Sequence, residues 1–258
     1  RTESLVALAQ RQGVEFHFGE RVERITLKGR RATGIQVGGT ELPADVVVSN
    51  MDVTPTYRRL LPDLKAPEKT LNQERSSSAL IFYWGVRREF PELNLHNILF
   101  TNDYEAEFRD LFERKQLHVD PTVYIHITSK DLHGEAPAGG ENWFVMINAP
   151  ADYGQDWSAW RAKARASVLA KIERALGVDV APYIEVEDVL DPPTLQARTG
   201  SDRGALYGAS SNNAMAAFLR HPNFHRQIPN LFFVGGSAHP GGGIPLCLLS
   251  AKIAADLG

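Results

Sequence analysis

The sequence predicts an α/β fold of the α+β kind, and three observations carry that expectation. Short alternating runs joined by tight turns open the chain; four more strand-like runs with two helices between them fill its middle; a buried strand, a glycine-rich loop and a helix close it. The 258 residues allow one large domain or two modest ones at about 150 residues per domain. With 43% apolar and 23% charged residues the chain is of ordinary globular composition, not disordered. Twenty-eight Lys+Arg against 31 Asp+Glu give a net charge of -3, and no basic tract is present, which argues against nucleic acid as a partner. The single cysteine, Cys247, excludes an internal disulfide and a thiolate zinc site and points to a reducing, cytoplasmic setting. The longest apolar runs, 79–84 and 231–234, fall far short of the roughly 18 to 20 residues of a membrane span, so any membrane contact is expected to be peripheral. Arg1 is not a start Met and no signal-peptide pattern follows it, so the chain reads as part of a longer protein.

Residues 2–11 place Leu5, Leu8 and Ala9 at helical spacing, with Gly13 as a stop. Alternation predicts strands over 14–18, 22–27 and 32–37, the last two joined by a turn at 28–31, and a further strand around Leu42 after Gly38-Gly39. Residues 45–50 contain Val46-Val47-Val48 and read as a short strand buried on both faces, ending in the polar turn Ser49-Asn50-Met51-Asp52. A helical stretch is expected to about residue 72. Strands at 77–86, 97–101, 122–128 and 143–148 then form one largely antiparallel sheet, with helices at 104–116 and 157–176. The second helix has Asp156 as N-cap, Gly177 as stop and Trp160, Ala164, Val168, Ile172 and Leu176 as its core stripe. After a strand at 184–190 the stretch 198–213 is expected to be a long loop.

The chemistry concentrates at the end, where the strand 230–234 runs into Gly235-Gly236-Ser237-Ala238-His239-Pro240-Gly241-Gly242-Gly243-Ile244-Pro245 and a helix to about Leu257. Glycines let a backbone approach a ligand, Pro245 suits a first helical turn, and the free N–H groups of that turn favour negative charge. The loop is not a phosphate-binding P-loop, because Gly242 and Gly243 stand where Lys and Ser/Thr belong. Nor is it a Rossmann fingerprint: from Gly241 and Gly243 the third glycine would fall on Leu246. The residues alone leave a ligand loop and a tight structural turn both open.

The segment His239 to Pro245, after residues 230–236 and with Ser250-Ala251-Lys252 in the helix, resembles the C-terminal flavin segment of the phytoene (carotenoid) desaturases. Residues 44–52, Thr56-Tyr57, Leu60-Leu61 and Gly204-Ala205-Leu206-Tyr207-Gly208 resemble further elements of that family, with Met51 in place of its Ala. The resemblance implies an FAD-dependent oxidoreductase that removes hydrogens from a long apolar polyene such as a carotenoid. It also implies a partial FAD-binding domain of the two-dinucleotide-binding flavoprotein type, over 1–56 and 197–258, with an inserted substrate domain at 57–196. The family's N-terminal strand, G-x-G-x-x-G turn and helix, which hold the ADP half of FAD, do not occur in these residues, so that segment of the same protein becomes an expected partner. Carried over, Gly235, Gly236 and Ser237 lie near the ribityl and phosphate groups, with Gly241 and Gly242 in the same cofactor loop. Gly243, Ile244 and Pro245 present the helix start to the pyrimidine edge, and Val22 belongs to the strand whose backbone meets the adenine. A helix N-terminus is worth about 0.3 to 1 kcal/mol to a nearby negative charge, which suits the charge that reduced flavin gathers near N1.

His239 is the acid/base candidate, with loop shaping as its alternative role. His221 and His225 lack the Glu of a zinc helix, and no metal is expected. Arg198 and Arg203 could meet a phosphate or be solvated. The strand 80–84 suits the floor of an apolar tunnel as well as a core. The helix with Tyr104, Phe108, Leu111 and Phe112 could rest on a membrane or be buried in the fold. A flavin-dependent isomerase or saturase, and a non-catalytic interaction module, stand as alternatives to the desaturase.

Overall fold

A computed structural model describes residues 2–210 and 220–258. The α/β expectation holds. Helix α1 (Thr2–Arg11) opens the chain with no residue buried. The strand expected over 14–18 does not form. Its apolar residues Val14, Phe16 and Phe18 are all exposed, and none of the described sheets offers them a neighbouring strand. Strands β1 (Val22–Lys28), β2 (Arg31–Val37) and β3 (Thr40–Pro43) make an antiparallel meander. Strand β4 (Val47–Ser49) then leaves it. A short helix α2 (Val53–Pro55) runs into a π turn (Thr56–Leu60), and the helical stretch expected after Tyr57 to about residue 72 is broken by Pro62 and Pro67, leaving that turn and α3 (Glu68–Leu71).

The middle of the chain builds the larger layer. It contains β5 (Ser78–Val86), β6 (His96–Leu99), α4 (Tyr104–Arg109, continued by a π turn at Asp110–Arg114), β7 (Val123–His126), β8 (Glu141–Ala149), α5 (Trp157–Leu176) and β9 (Ile184–Leu190). The five strands lie in the order β6-β7-β8-β5-β9, antiparallel throughout. The pairing Leu80↔Ile147, Phe82↔Val145 and Trp84↔Trp143 puts these side chains on one face, where they meet Ala164, Val168 and Ile172 of α5. Each such buried side chain contributes about 1.5–3 kcal/mol. The caps of α5 are as the sequence predicts: Ala159 N donates to Asp156 Oδ1 at 3.1 Å, and Gly177 takes the left-handed conformation.

After β9 the structure forms α6 (Pro192–Thr199), so the expected loop begins later than residue 198, and its residues 211–213 lie outside the described residues. The chain ends with β10 (Phe224–His225), β11 (Ile228–Phe233) and α7 (Ile244–Leu257). Strand β11 pairs antiparallel with β10 and parallel with β4. A second core of Ile25, Val53, Tyr57, Leu60, Leu231 and Phe233 joins the two ends of the chain. Asn230 fastens them: its Nδ2 donates to the carbonyls of Ala32 and Asp45, each at 2.7 Å, and its Oδ1 accepts from Ala32 N. Burial of β4 on both faces is not observed. Val47 and Ser49 point to one face and are buried, whereas Val48, which points to the other, is 53% exposed. Among the described residues no helix is long and apolar enough to cross a membrane.

Candidate functional site

Because β4 and β11 run parallel, with Phe233 opposite Ser49, both strands end on the same edge of the sheet, the position where open α/β sheets bind ligands. The turn 49–52 and the glycine loop therefore lie side by side, and Val234 N extends the ladder by donating to Ser49 O at 3.0 Å. Gly235 has φ +96°, and a Cβ there would overlap Asn50 Oδ1. Gly235 N donates to Ser250 Oγ, and Asn223 Nδ2 donates to Phe233 O, His239 O and Ser250 Oγ, so one buried amide ties strand, loop and helix together. Ser237 Oγ accepts from Val53 N at 3.0 Å and joins the loop to the turn after β4. Helix α7 begins at Gly243 without a side-chain cap. The N–H groups of Gly243, Ile244 and Leu246 thus have no carbonyl partner within the helix, and Pro245 has no N–H to leave unpaired.

Three cavities follow this edge. The first, about 400 Å³, lies between Gly241-Gly242 and Ser76, Ser77, Phe112, Tyr207 and Leu246. The second, about 220 Å³, is lined by Asn50, Asp52, Gly208, Gly236 and Ser237. The segment 206–209 separates them, with Tyr207 and Ala209 facing the first and Leu206 and Gly208 the second. The third, about 340 Å³, includes Val22, Ile25, Val48 and Met51 and shares Asn50 with the second. The third cavity reaches β1 through Val22 and Ile25, and the first reaches α7 through Leu246.

The sequence-predicted residues divide among these spaces. Gly236 and Ser237 line the second cavity, Gly241 and Gly242 the first, and Val22 the third. Gly243, Ile244 and Pro245 form the exposed start of α7, while Gly235 is the buried pivot against Asn50. His239 is held through its backbone, its N–H donating to His221 O at 2.9 Å; its ring is not among the cavity linings. Arg198 lies in the last turn of α6, and Arg203 stacks over the Tyr153 ring at 4.6 Å. His221 is a hydrogen-bonded core residue, and no metal-binding cluster occurs among the described residues.

Sequence reasoning missed two groups. Arg220 is buried and donates to the carbonyls of Tyr207 at 2.7 Å, Gly236 at 2.9 Å and Ala209 at 2.9 Å, clamping the segment 206–209 onto the glycine loop. Burial draws its pKa down, opposed by the charge of Asp52. Asp52 lines the second cavity and accepts from Thr54 N and Asp202 N; burial raises its pKa against those bonds and nearby Arg75. Asp52 had a local signal, the polar turn after β4. Arg220 had none.

A parallel strand pair, a glycine loop and an uncapped helix at one sheet edge make the ligand-binding edge of an open α/β fold. The Flavin containing amine oxidoreductase family model matches residues 3–257, and the chain belongs to that family. It is 59% identical over 256 residues to 1-hydroxycarotenoid 3,4-desaturase of Flavobacterium sp. (strain P99-3), covering 99% of this chain and 52% of that protein. It is 32% identical over 278 residues to phytoene desaturase of Fusarium fujikuroi (98% and 49%). It is also 36% identical over 257 residues to 4,4'-diaponeurosporene oxygenase of Staphylococcus aureus (strain MSSA476) (98% and 52%). The chain thus spans about half the length of these curated relatives. Among solved structures, an oxidoreductase from Methanosarcina mazei superposes with a TM-score of 0.65 at 14% identity (98% of this chain, 53% of that one). A putrescine oxidase triple mutant superposes with 0.60 at 14% (99% and 52%), and these two likenesses concern the fold alone.

The residues present fit the flavin of this family. The loop offers bare backbone at Gly236, Gly242 and Gly243, and a Cβ at Gly243 would point into open space. Unpaired N–H donors stand at the start of α7, beside a largely apolar cavity.

Proposed function

We propose that this chain is the portion of an FAD-dependent carotenoid desaturase that receives the ring end of the flavin and the polyene. The observation that carries this reading is the glycine loop at the apolar cavity, in a chain 59% identical to a protein named for that reaction. FAD, when bound, supplies the acceptor for a hydride from one C–H of the substrate, while the neighbouring C–H gives up a proton and a double bond forms.

In this reading Gly235, Gly236 and Ser237 lie along the ribityl and phosphate groups, and Gly241 and Gly242 bring bare backbone to the ring. The start of α7, Gly243 to Pro245, faces the pyrimidine edge, with the N–H groups of Gly243 and Ile244 as its donors, and Val22 stands at the adenine end. His239 is the candidate proton acceptor; His239→Ala should lower turnover more than flavin content, whereas equal losses indicate a purely structural role. Segments 1–56 and 197–258 belong to the FAD domain and 57–196 to the substrate domain. The remaining length of the relatives supplies the ADP-binding turn. A peripheral membrane contact through Tyr104 and Phe108 is supported by their exposure and their 4.8 Å ring contact. Unchanged liposome binding after Tyr104→Ser and Phe108→Ser would remove it.

The test is product analysis on the full-length protein with bound FAD, a carotenoid and an electron acceptor. A desaturase gives products lighter by two hydrogens per cycle and needs the acceptor. A saturase gives heavier products, and an isomerase changes no mass.

A further inference from the structure

The cavity at Gly241-Gly242 is mostly apolar, with Phe112, Ala209, Pro240 and Leu246 in its walls, yet its lining also includes Arg220 and the hydroxyl-bearing residues Ser76, Ser77, Tyr207 and Ser210. Ser76 Oγ is already engaged: it donates to Ser77 O and accepts from Tyr207 N, each at 3.0 Å. Tyr207 is different. Its phenol oxygen has no hydrogen-bond partner among the described residues, and the residue is 46% exposed. Its position is nevertheless fixed. The backbone N–H is held by Ser76, the carbonyl by Arg220 at 2.7 Å, and the ring lies so close to Gly242 that a Cβ there would overlap it. A rigid, unengaged hydroxyl at the glycine loop is a recognition group waiting for a polar atom near the reacting bond.

We propose that Tyr207 is a specificity-determining residue that hydrogen-bonds a hydroxyl carried by the polyene a few bonds from the carbon–carbon bond being oxidised. This rests on the desaturase reading above and deepens it. The relative at 59% identity is named for a substrate hydroxylated at carbon 1 and oxidised at carbons 3 and 4, a separation short enough for the hydroxyl and the reacting bond to share one cavity. An apolar pocket discriminates poorly between a hydrocarbon and its hydroxylated analogue, whereas a fixed hydrogen-bonding partner discriminates strongly.

The test is the substrate preference of full-length, FAD-loaded protein. The kcat/KM of a polyene with a terminal tertiary hydroxyl is divided by that of the same polyene without it, in wild type and in Tyr207→Phe, and the binding constants of both polyenes are measured by spectral titration. The ratio should fall about tenfold or more in the variant, in turnover and in binding. A ratio that Tyr207→Phe leaves unchanged, or a wild type that binds both polyenes equally, overturns the proposal. A wild type that prefers the hydroxylated polyene in binding, loses that preference in Tyr207→Phe, and oxidises neither compound upholds the recognition and overturns the desaturase reading instead.

Discussion

Tyr57 and His221, far apart in the chain, meet in the core between the two chain ends. His221 Nδ1 lies 2.7 Å from Pro222 O and so carries the proton it donates, which leaves Nε2 to accept from Tyr57 OH at 2.9 Å. Burial lowers the His221 pKa to about 4 and pushes the Tyr57 phenol above its ordinary value. The unfolded chain therefore takes up a proton here between about pH 6.5 and pH 4 while the folded chain does not, so stability is complete above the upper value and falls with pH through that window. The loss amounts to as much as about 3 kcal/mol, and His221→Gln should flatten that part of a urea-midpoint profile against pH. At Gly235, φ +96° and the contact with Asn50 act together; Gly235→Ala should cost about 1–3 kcal/mol in thermal or urea unfolding. Gly243→Ala, at φ +97° with open space around it, should cost less. The glycine loop was legible because its residue types state a local backbone requirement. Arg220 was not, because its three carbonyl partners are assembled only by the fold.

Helix α5 and strands β5, β8 and β9 were readable because caps and periodicity are local signals, and these segments carry them in full. The strand expected over 14–18 shows the limit of alternation, which describes a face but not a neighbour to cover it. Helix α6 is the opposite failure, since its signal was present. Asp191 followed by Pro192-Pro193 is a helix start, and Asp191 Oδ1 accepts from Thr194 N at 3.0 Å. Asp191→Ala should cost about 1–2 kcal/mol and lower the melting temperature. The effect belongs near the site, because Leu195 and Thr199 of α6 line the second cavity. The π turn that ends α4 has its own electrostatics. Burial of Asp110 acts to raise its pKa, but bonds with His118 at 2.7 Å and with Arg114 and Gln116, each at 2.8 Å, hold it down to about 2. That contribution is present above about pH 4 and is lost as pH falls towards 2, so Asp110→Asn should remove the matching slope from an acid-unfolding curve.

At the scale of the whole molecule, the two ends of the chain share one core and one sheet edge, and the middle supplies a larger antiparallel sheet. Val46 and Val48 at the β4 edge and Ile244, Leu248 and Leu249 on α7 are exposed apolar residues beside the proposed cofactor site. The relatives are about twice as long as this chain, and the proposed reading assigns the cover of this surface to the rest of their length. In the proposed reading the exposed Val46 and Val48 belong to the surface that the rest of the relatives' length covers. The most direct test is anaerobic mixing of FAD-loaded full-length protein with a hydroxylated carotenoid, following flavin absorbance and product together. In a desaturase the oxidised flavin band bleaches in proportion to the polyene that has lost two hydrogens. Product formed while the flavin stays oxidised, or an isomerised polyene of unchanged mass, would contradict the desaturase reading.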